Sequence, residues 1–273
     1  MAEVAKKNIT QVDPVWERIV GEAEDLIAKE PILGGLVHSS VLHHARFSKA
    51  LSYRIALKLS SDEMPAQILR EIADEALSSD KSIARAARAD IVAVFDRDPA
   101  CHTFIQPLLF FKGYQAVQSY RIAHWLWQHG RNEMAYFFQM RASEVYGVDI
   151  HPGAKIGQGI MIDHAHSVVI GETAVVGDNV SMLHSVTLGG TGKADGIRHP
   201  TIEDGVLIGA GAKVLGNITI GHCSKIAAGS VVLHEVPACK TVAGVPAKVV
   251  GEAGCDQPSQ SMDHYFGDCD CDD

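Results

Sequence analysis

The sequence predicts an α+β protein: an α-helical domain over residues 1–147, then a parallel β-helix of six-residue repeats over 148–254, then a flexible acidic tail over 255–273. Three observations predict it. Glycine is partitioned, with six of the 25 in residues 1–147 and 19 after them, so the two parts make different demands on the backbone. The first part carries helix-start signals and apolar residues at helical spacing. The second carries an aliphatic residue at every sixth position.

In the helical part, Asp13-Pro14 reads as an N-cap followed by proline at the first helical position, leading into VWERIVGEAEDLIAKE. Pro65 opens AQILREIADEAL in the same way. Between Gln115 and Gln128, Val117, Ile122, Trp125 and Leu126 are expected on one apolar side, and Trp125 and Trp127 read as packing residues.

Stepping by six from Ile150 meets Ile156, Ile162, Val168, Ala174, Val180 and Val186, and a restart at Ile202 meets Ile208, Val214, Ile220, Ile226 and Val232. Twelve of those thirteen are Ile or Val, against 22 of the 88 residues from 150 to 237, or about three expected by chance. Branched side chains with stiff χ1 suit a narrow stacked interior. Three positions further stand Gly153, Gly159, Gly171, Gly177, Gly189, Gly205, Gly211 and Gly229, with Asn217 at another, as expected if each unit is a strand and a sharp corner. The rhythm is read as breaking once, between Val186 and Ile202, where ten extra residues form a loop at 188–201.

Composition excludes several function classes. The net charge is −9 and no Lys/Arg cluster stands out, which argues against a nucleic-acid partner. There is no apolar run of transmembrane length and no secretory leader, so a cytoplasmic location without membrane contact is expected. Cys101, Cys223, Cys239, Cys255, Cys269 and Cys271 lack zinc-site spacing and read as thiols in a reducing compartment, and no metal is expected.

Six stretches then carry a resemblance: RDPA at 97–100, HWLW at 124–127, VDIHPGAKIGQGIMIDHA at 148–165, SVTLGGTGK at 185–193, RHP at 198–200 and AGVPAKVVG at 243–251. The chain resembles the serine O-acetyltransferases among the hexapeptide-repeat acyltransferases, and the likeness extends over both parts. The resemblance implies a left-handed β-helix, trimers that pair into a homohexamer through the helical domains, and transfer of acetyl from acetyl-CoA to the L-serine hydroxyl. It also implies feedback inhibition by L-cysteine. A complex with O-acetylserine sulfhydrylase, which in the family uses a C-terminal isoleucine, is placed in doubt by the ending DCDCDD.

A hydroxyl attacking a thioester needs a base and donors for the developing oxyanion. Histidine suits the base, and fourteen are present. An interior of Ile and Val leaves no room for polar chemistry, so the site belongs on the outer surface, in a groove between neighbouring subunits. By similarity to the family, His164 is the general base, Asp149 orients it, and His199 positions substrate or donates to the transition-state oxygen. Arg198 would grip the serine carboxylate, with Asp98 and Asp163 facing its ammonium. On an eighteen-residue coil, Asp149 and His164 are offset by three residues in successive coils, on the order of 10 Å.

For acetyl-CoA the family precedent points to backbone amides near Gly190, Ala210 and Ala228, with Lys248 for a phosphate; GGTGK lacks phosphate-loop spacing. Direct transfer without an acyl-enzyme is expected, since no cysteine or serine has a base at diagnostic spacing. Three rivals stay open: a hexapeptide acetyltransferase of another hydroxyl, a γ-type carbonic anhydrase needing three zinc-binding histidines, and a non-catalytic scaffold.

Overall fold

The computed structural model describes residues 13–192, 195–254 and 257–264. Its helices are α1 (Pro14–Lys29), α2 (Gly34–Val37), α3 (Phe47–Leu59), α4 (Ala66–Ser79), α5 (Lys81–Arg97), α6 (Ile105–Leu109), α7 (Lys112–Gln128), α8 (Asn132–Tyr146) and, near the C-terminal end, α9 (Pro258–Ser261). Among the described residues no helix is long and apolar enough to cross a membrane.

Asp13 caps α1 as expected: its Oδ1 accepts the Trp16 N–H at 3.2 Å. Pro65 instead is itself the N-cap of α4, with ψ 145°, so that helix starts one residue later than expected. The one-sided stripe expected on α7 is corrected, because every residue from Gly113 to Ala123 is buried. The reason is position: α7 runs between α5, α8 and the first coil of the β-helix.

After α8, Gly147 takes φ 71° and turns the chain into a solenoid with three parallel faces. The first face stacks β1 (Val148–Ile150), β4 (Val168–Ile170), β7 (Thr187–Gly189), β10 (Lys213–Leu215) and β13 (Val231–Val232). The second stacks β2 (Lys155–Ile156), β5 (Val175–Val176), β8 (Thr201–Ile202) and β11 (Thr219–Ile220). The third stacks β3 (Met161–Ile162), β6 (Ser181–Met182), β9 (Leu207–Ile208), β12 (Lys225–Ile226) and β14 (Lys240–Gly244), with β15 (Ala247–Glu252) added antiparallel. Each inward Ile, Val, Leu or Met leaves water, a contribution of roughly 1.5–3 kcal/mol per side chain.

Strand register corrects the repeat arithmetic. Ile150 pairs with Ile170, Ile156 with Val176 and Ile162 with Met182, so the first coil holds about twenty residues, not eighteen. Two residues are inserted at 163–167, so the rhythm breaks there as well as at the long loop, and the last coil, with Ile226 opposite Val242, is two residues short. Across the long loop, Val176 pairs with Ile202 and Met182 with Ile208, which leaves about eight extra residues there instead of ten. The glycine reading also splits. Gly159, Gly205, Gly211 and Gly229 take positive φ, whereas Gly153, Gly171, Gly177 and Gly189 do not.

The helical domain closes the open end of the solenoid, whose first coil has no coil beneath it to satisfy its backbone. Tyr120 Oη donates to Ala154 O at 2.5 Å, Arg121 Nη2 to Gly157 O at 2.7 Å and Arg97 Nη1 to Gly159 O at 3.0 Å. Asp90 Oδ1 accepts the Ile160 N–H at 2.9 Å, while its Oδ2 pairs with Arg121 at 2.8 Å and accepts from Gln118 at 2.9 Å.

The tail expectation is corrected in part. Residues 257–264 pack on the solenoid: Pro258 and Ser259 are buried, Ser181 Oγ donates to Ser259 O at 2.8 Å, and Met262 joins Val94, Cys101 and Met161. An apolar Pro and Met give this stretch something to bury that composition concealed. Cys255, Cys269, Cys271 and the DCDCDD ending lie outside the described residues.

Candidate active site

Functional side chains collect at two corners of the prism. The corner between the third and first faces is built by residues 163–167, 183–186, 209–212 and 227–230 of successive coils. The corner between the first and second faces is built by residues 151–154, 171–174 and the loop after β7. They lie at opposite edges of the first face.

His164 occupies the first of these corners, in the two-residue insertion. The extra residues force the chain into left-handed backbone at His164 (φ 56°), Ala165 (φ 51°) and Ser167 (φ 55°). The result is a projecting side chain, 71% exposed, with Nε2 3.6 Å from Asp163 Oδ2. Edge-on to it at 6.0 Å stands His184, one coil further. Backbone bonds from Gly211 to His184 O (2.9 Å) and from Gly229 to Ala210 O (2.8 Å) place Ala210 and Ala228 at the same corner in the next coils. Their own amides have no acceptor among the described residues. The β14–β15 hairpin, where Lys248 pairs with Ala243, follows the same edge. The expected cofactor residues Ala210, Ala228 and Lys248 thus form one column above His164; Gly190 does not, and sits at the other corner against Arg198 O and His199.

Asp98 is carried to the β3 side of the solenoid by the helical domain. It ends α5, accepts the Ala100 N–H at 2.8 Å in the turn around Pro99, and is set there by Val94 and Cys101 packing on Met161, two residues before Asp163. Gly113 of α7 locks the same region: a Cβ there would lie 2.0 Å from Ile162 O.

The second corner gathers Glu172, Thr173, Arg198, His199 and His151. Arg198 Nη2 is ion-paired with Glu172, which holds that carboxyl below its ordinary range. The remaining guanidinium donors include Nη1, 3.4 Å from Gly196 O. His199 is buried; burial first, then the adjacent Arg198, lowers its pKa, with Glu172 acting against them. Its ring lies over Gly171, where a Cβ would be 2.0 Å from Nε2, so that glycine serves close approach and not a left-handed turn. His151 is lowered by burial as well, against the opposing charges of Glu172 and Asp149, and packs edge-on to Trp127 at 5.2 Å.

Asp149 points outward from the first face and accepts from Gln139 Nε2 at 2.6 Å. Among the described residues no hydrogen bond or ion pair joins it to His164. The offset-of-three expectation assumed an eighteen-residue coil; in the actual register Asp149 lies opposite Val169 and shares the electrostatics of the His151 cluster. One chain therefore pairs His164 with Asp163, anchors the turn that carries Asp98 on Met161, brings Arg198 and Asp149 into the electrostatics of the His151 cluster beside His199, and keeps the two sets apart.

Sequence reasoning missed His184, Glu172, Thr173 and His151 as members of these clusters. His184 follows His164 by twenty residues, which is the length of the first coil, a signal legible only once that length is known. Thr173 carries no signal at all, since its partners are some 25 residues away along the chain.

The geometry offers an exposed imidazole beside a carboxylate, a column of open amides, and a separate arginine–histidine pair, which suits acyl transfer to a small zwitterionic alcohol. Among the described residues no three His, Cys, Asp or Glu side chains converge as metal ligands. Two family models match: "Serine acetyltransferase, N-terminal" over residues 15–119 and "Bacterial transferase hexapeptide (six repeats)" over 199–234. The serine acetyltransferase of Salmonella typhimurium is 52% identical over 256 residues, 94% of each chain. The crystal structure of serine acetyltransferase from Vibrio cholerae superposes with a TM-score of 0.91 at 52% identity, covering 92% of this chain and 98% of that one. A serine acetyltransferase solved in complex with cysteine gives 0.91 at 50% identity, covering 92% and 98%. The solenoid is thus the left-handed β-helix of the hexapeptide-repeat enzymes, and the chain belongs to the serine acetyltransferase family.

Proposed function

We propose that acetyl transfer from acetyl-CoA to the L-serine hydroxyl, the reaction of this family, runs in this protein at a cleft completed by a second copy of the chain. The observation that carries the reading is the separation of the two half-sites. His164 stands at one edge of the first face and His199 at the other, across a strand of three residues, on the order of 10 Å. A closed ring of identical subunits sets one corner of each copy against the other corner of its neighbour.

In that cleft His164 removes the proton of the serine hydroxyl as it attacks the thioester carbonyl. The Asp149 that steadies the resulting imidazolium comes from the neighbouring copy, as do Arg198 for the serine carboxylate and His199 for the developing oxyanion. Asp98 and Asp163 face the ammonium. The open amides of Ala210 and Ala228 receive acetyl-CoA along the column, Gly190 lines its opposite wall, and Lys248 meets a phosphate. The acyl group passes directly, without an enzyme-bound intermediate, and the thiolate of CoA leaves.

Solved relatives hold coenzyme A, serine and cysteine, which supports these ligands for this chain. Cysteine differs from serine by one atom and would occupy the same groove as a feedback inhibitor. Pairing of trimers into a hexamer through the helical domain, in the cytoplasm, completes the proposal. The test is release of CoA thiol with a panel of acceptors. L-serine is expected to be the preferred acceptor and L-cysteine to compete with it; preference for a sugar or antibiotic hydroxyl would overturn the substrate assignment.

A further inference from the structure

We infer that Thr173 is a positioning residue that fixes His199 as the neutral tautomer with its proton on Nε2, so that this imidazole meets the substrate only as a hydrogen-bond donor. The inference deepens the proposed function and rests on its reading of His199 as a substrate-facing group.

The hydrogens around Thr173 and His199 fix the tautomer. The Thr173 backbone N–H lies 3.2 Å from His199 Nδ1, and a backbone N–H can only donate. The Thr173 hydroxyl oxygen accepts two further obligate donors, the N–H of Arg198 at 3.0 Å and the N–H of His199 at 3.2 Å. A hydroxyl has two acceptor lone pairs and one hydrogen. With both lone pairs occupied, its remaining contact, His199 Nδ1 at 2.9 Å, must be one in which the hydroxyl donates. Nδ1 therefore receives two hydrogens and carries none. The proton of the neutral ring sits on Nε2, which has no partner among the described residues and faces the backbone of Gly171 and Gly190.

One side chain thus does two jobs in the loop. It holds the backbone of both Arg198 and His199 against the second coil, and it opposes the imidazolium, whose Nδ1–H would point at two donors. The charged and titratable groups facing the ring, Arg198, Glu172 and His151, leave the same neutral state favoured, since burial and Arg198 outweigh Glu172. A fixed Nε2–H keeps His199 from competing with His164 for the substrate proton.

Thr173→Val keeps the shape and the backbone donor but deletes the hydroxyl, and Thr173→Ser restores it. In the full-length oligomer, Thr173→Val is expected to lower kcat/KM for L-serine about ten- to a hundredfold, and Thr173→Ser to restore it to within about threefold. In a His199→Ala background the same Val substitution should cost less than about twofold, because the group through which it acts is gone. An equal cost in both backgrounds would show a merely structural role and overturn the inference. A second arm needs no catalysis: nitrogen-15 NMR of histidine-labelled wild-type protein, with His199 assigned by its Ala variant. Nδ1 is expected to appear unprotonated and Nε2 protonated; a proton on Nδ1 overturns the inference. If the wild-type protein fails to acetylate serine, the proposed function falls, and the NMR arm still decides the tautomer.

Discussion

His164→Ala is expected to lower kcat for acetyl transfer by about a hundred- to ten-thousandfold, the range over which a positioned general base contributes. The hydroxyl of serine is scarcely ionised at neutral pH, and no other imidazole at this corner takes the same place. His184 stands 6.0 Å away ring to ring, one coil further along the same corner. The fold should survive, since the side chain is 71% exposed and its ion-pair partner among the described residues is the adjacent Asp163. His164→Asn is a useful companion, because asparagine tolerates the left-handed φ of 56° better than alanine. Both variants should keep the melting temperature and lose turnover. A variant with normal turnover would remove His164 from the base role.

The second large effect is on stability. Asp90→Ala is expected to cost about 3–5 kcal/mol, read from the shift in urea midpoint, because it leaves the buried Arg121 guanidinium without its counter-charge. The Asp90 side chain is 0% exposed and its partner 7%, so water cannot replace the lost carboxylate. The same substitution strands the Ile160 N–H and the Gln118 amide. Since these bonds close the open end of the solenoid, the loss should be felt at the first coil. A shift of less than about 1 kcal/mol would mean that apolar packing of α5 and α7 holds the two parts together without the ion pair.

The solenoid was legible because its interior residues are the ones that recur. Its frame was not. Stepping by six past Ile162 lands on Val168, Ala174, Val180 and Val186, which are buried and aliphatic yet lie two residues before the true strand partners Ile170, Val176, Met182 and Leu188. Two sets of apolar residues point into the same core, so a two-residue slip leaves the pattern intact. That slip is the insertion that projects His164. The loop was legible as an interruption, but its attachment to Glu172 and Thr173 was not, because stacking coils creates contacts that no local pattern records. Buried Asp90, Arg97 and Arg121 carried no signal either: on helices they read as surface charges, and only the unsatisfied backbone of the first coil explains them.

In the proposed function each active site draws on two chains. Co-expression of His164→Ala with His199→Ala, each strongly impaired but measurable alone, tests it most directly. In a random mixture, about a quarter of the interfaces pair an intact His164 corner with an intact His199 corner, so mixed oligomers should recover up to about a quarter of wild-type turnover. Mixed oligomers no more active than their parents would place both histidines in a site within one chain and contradict the account.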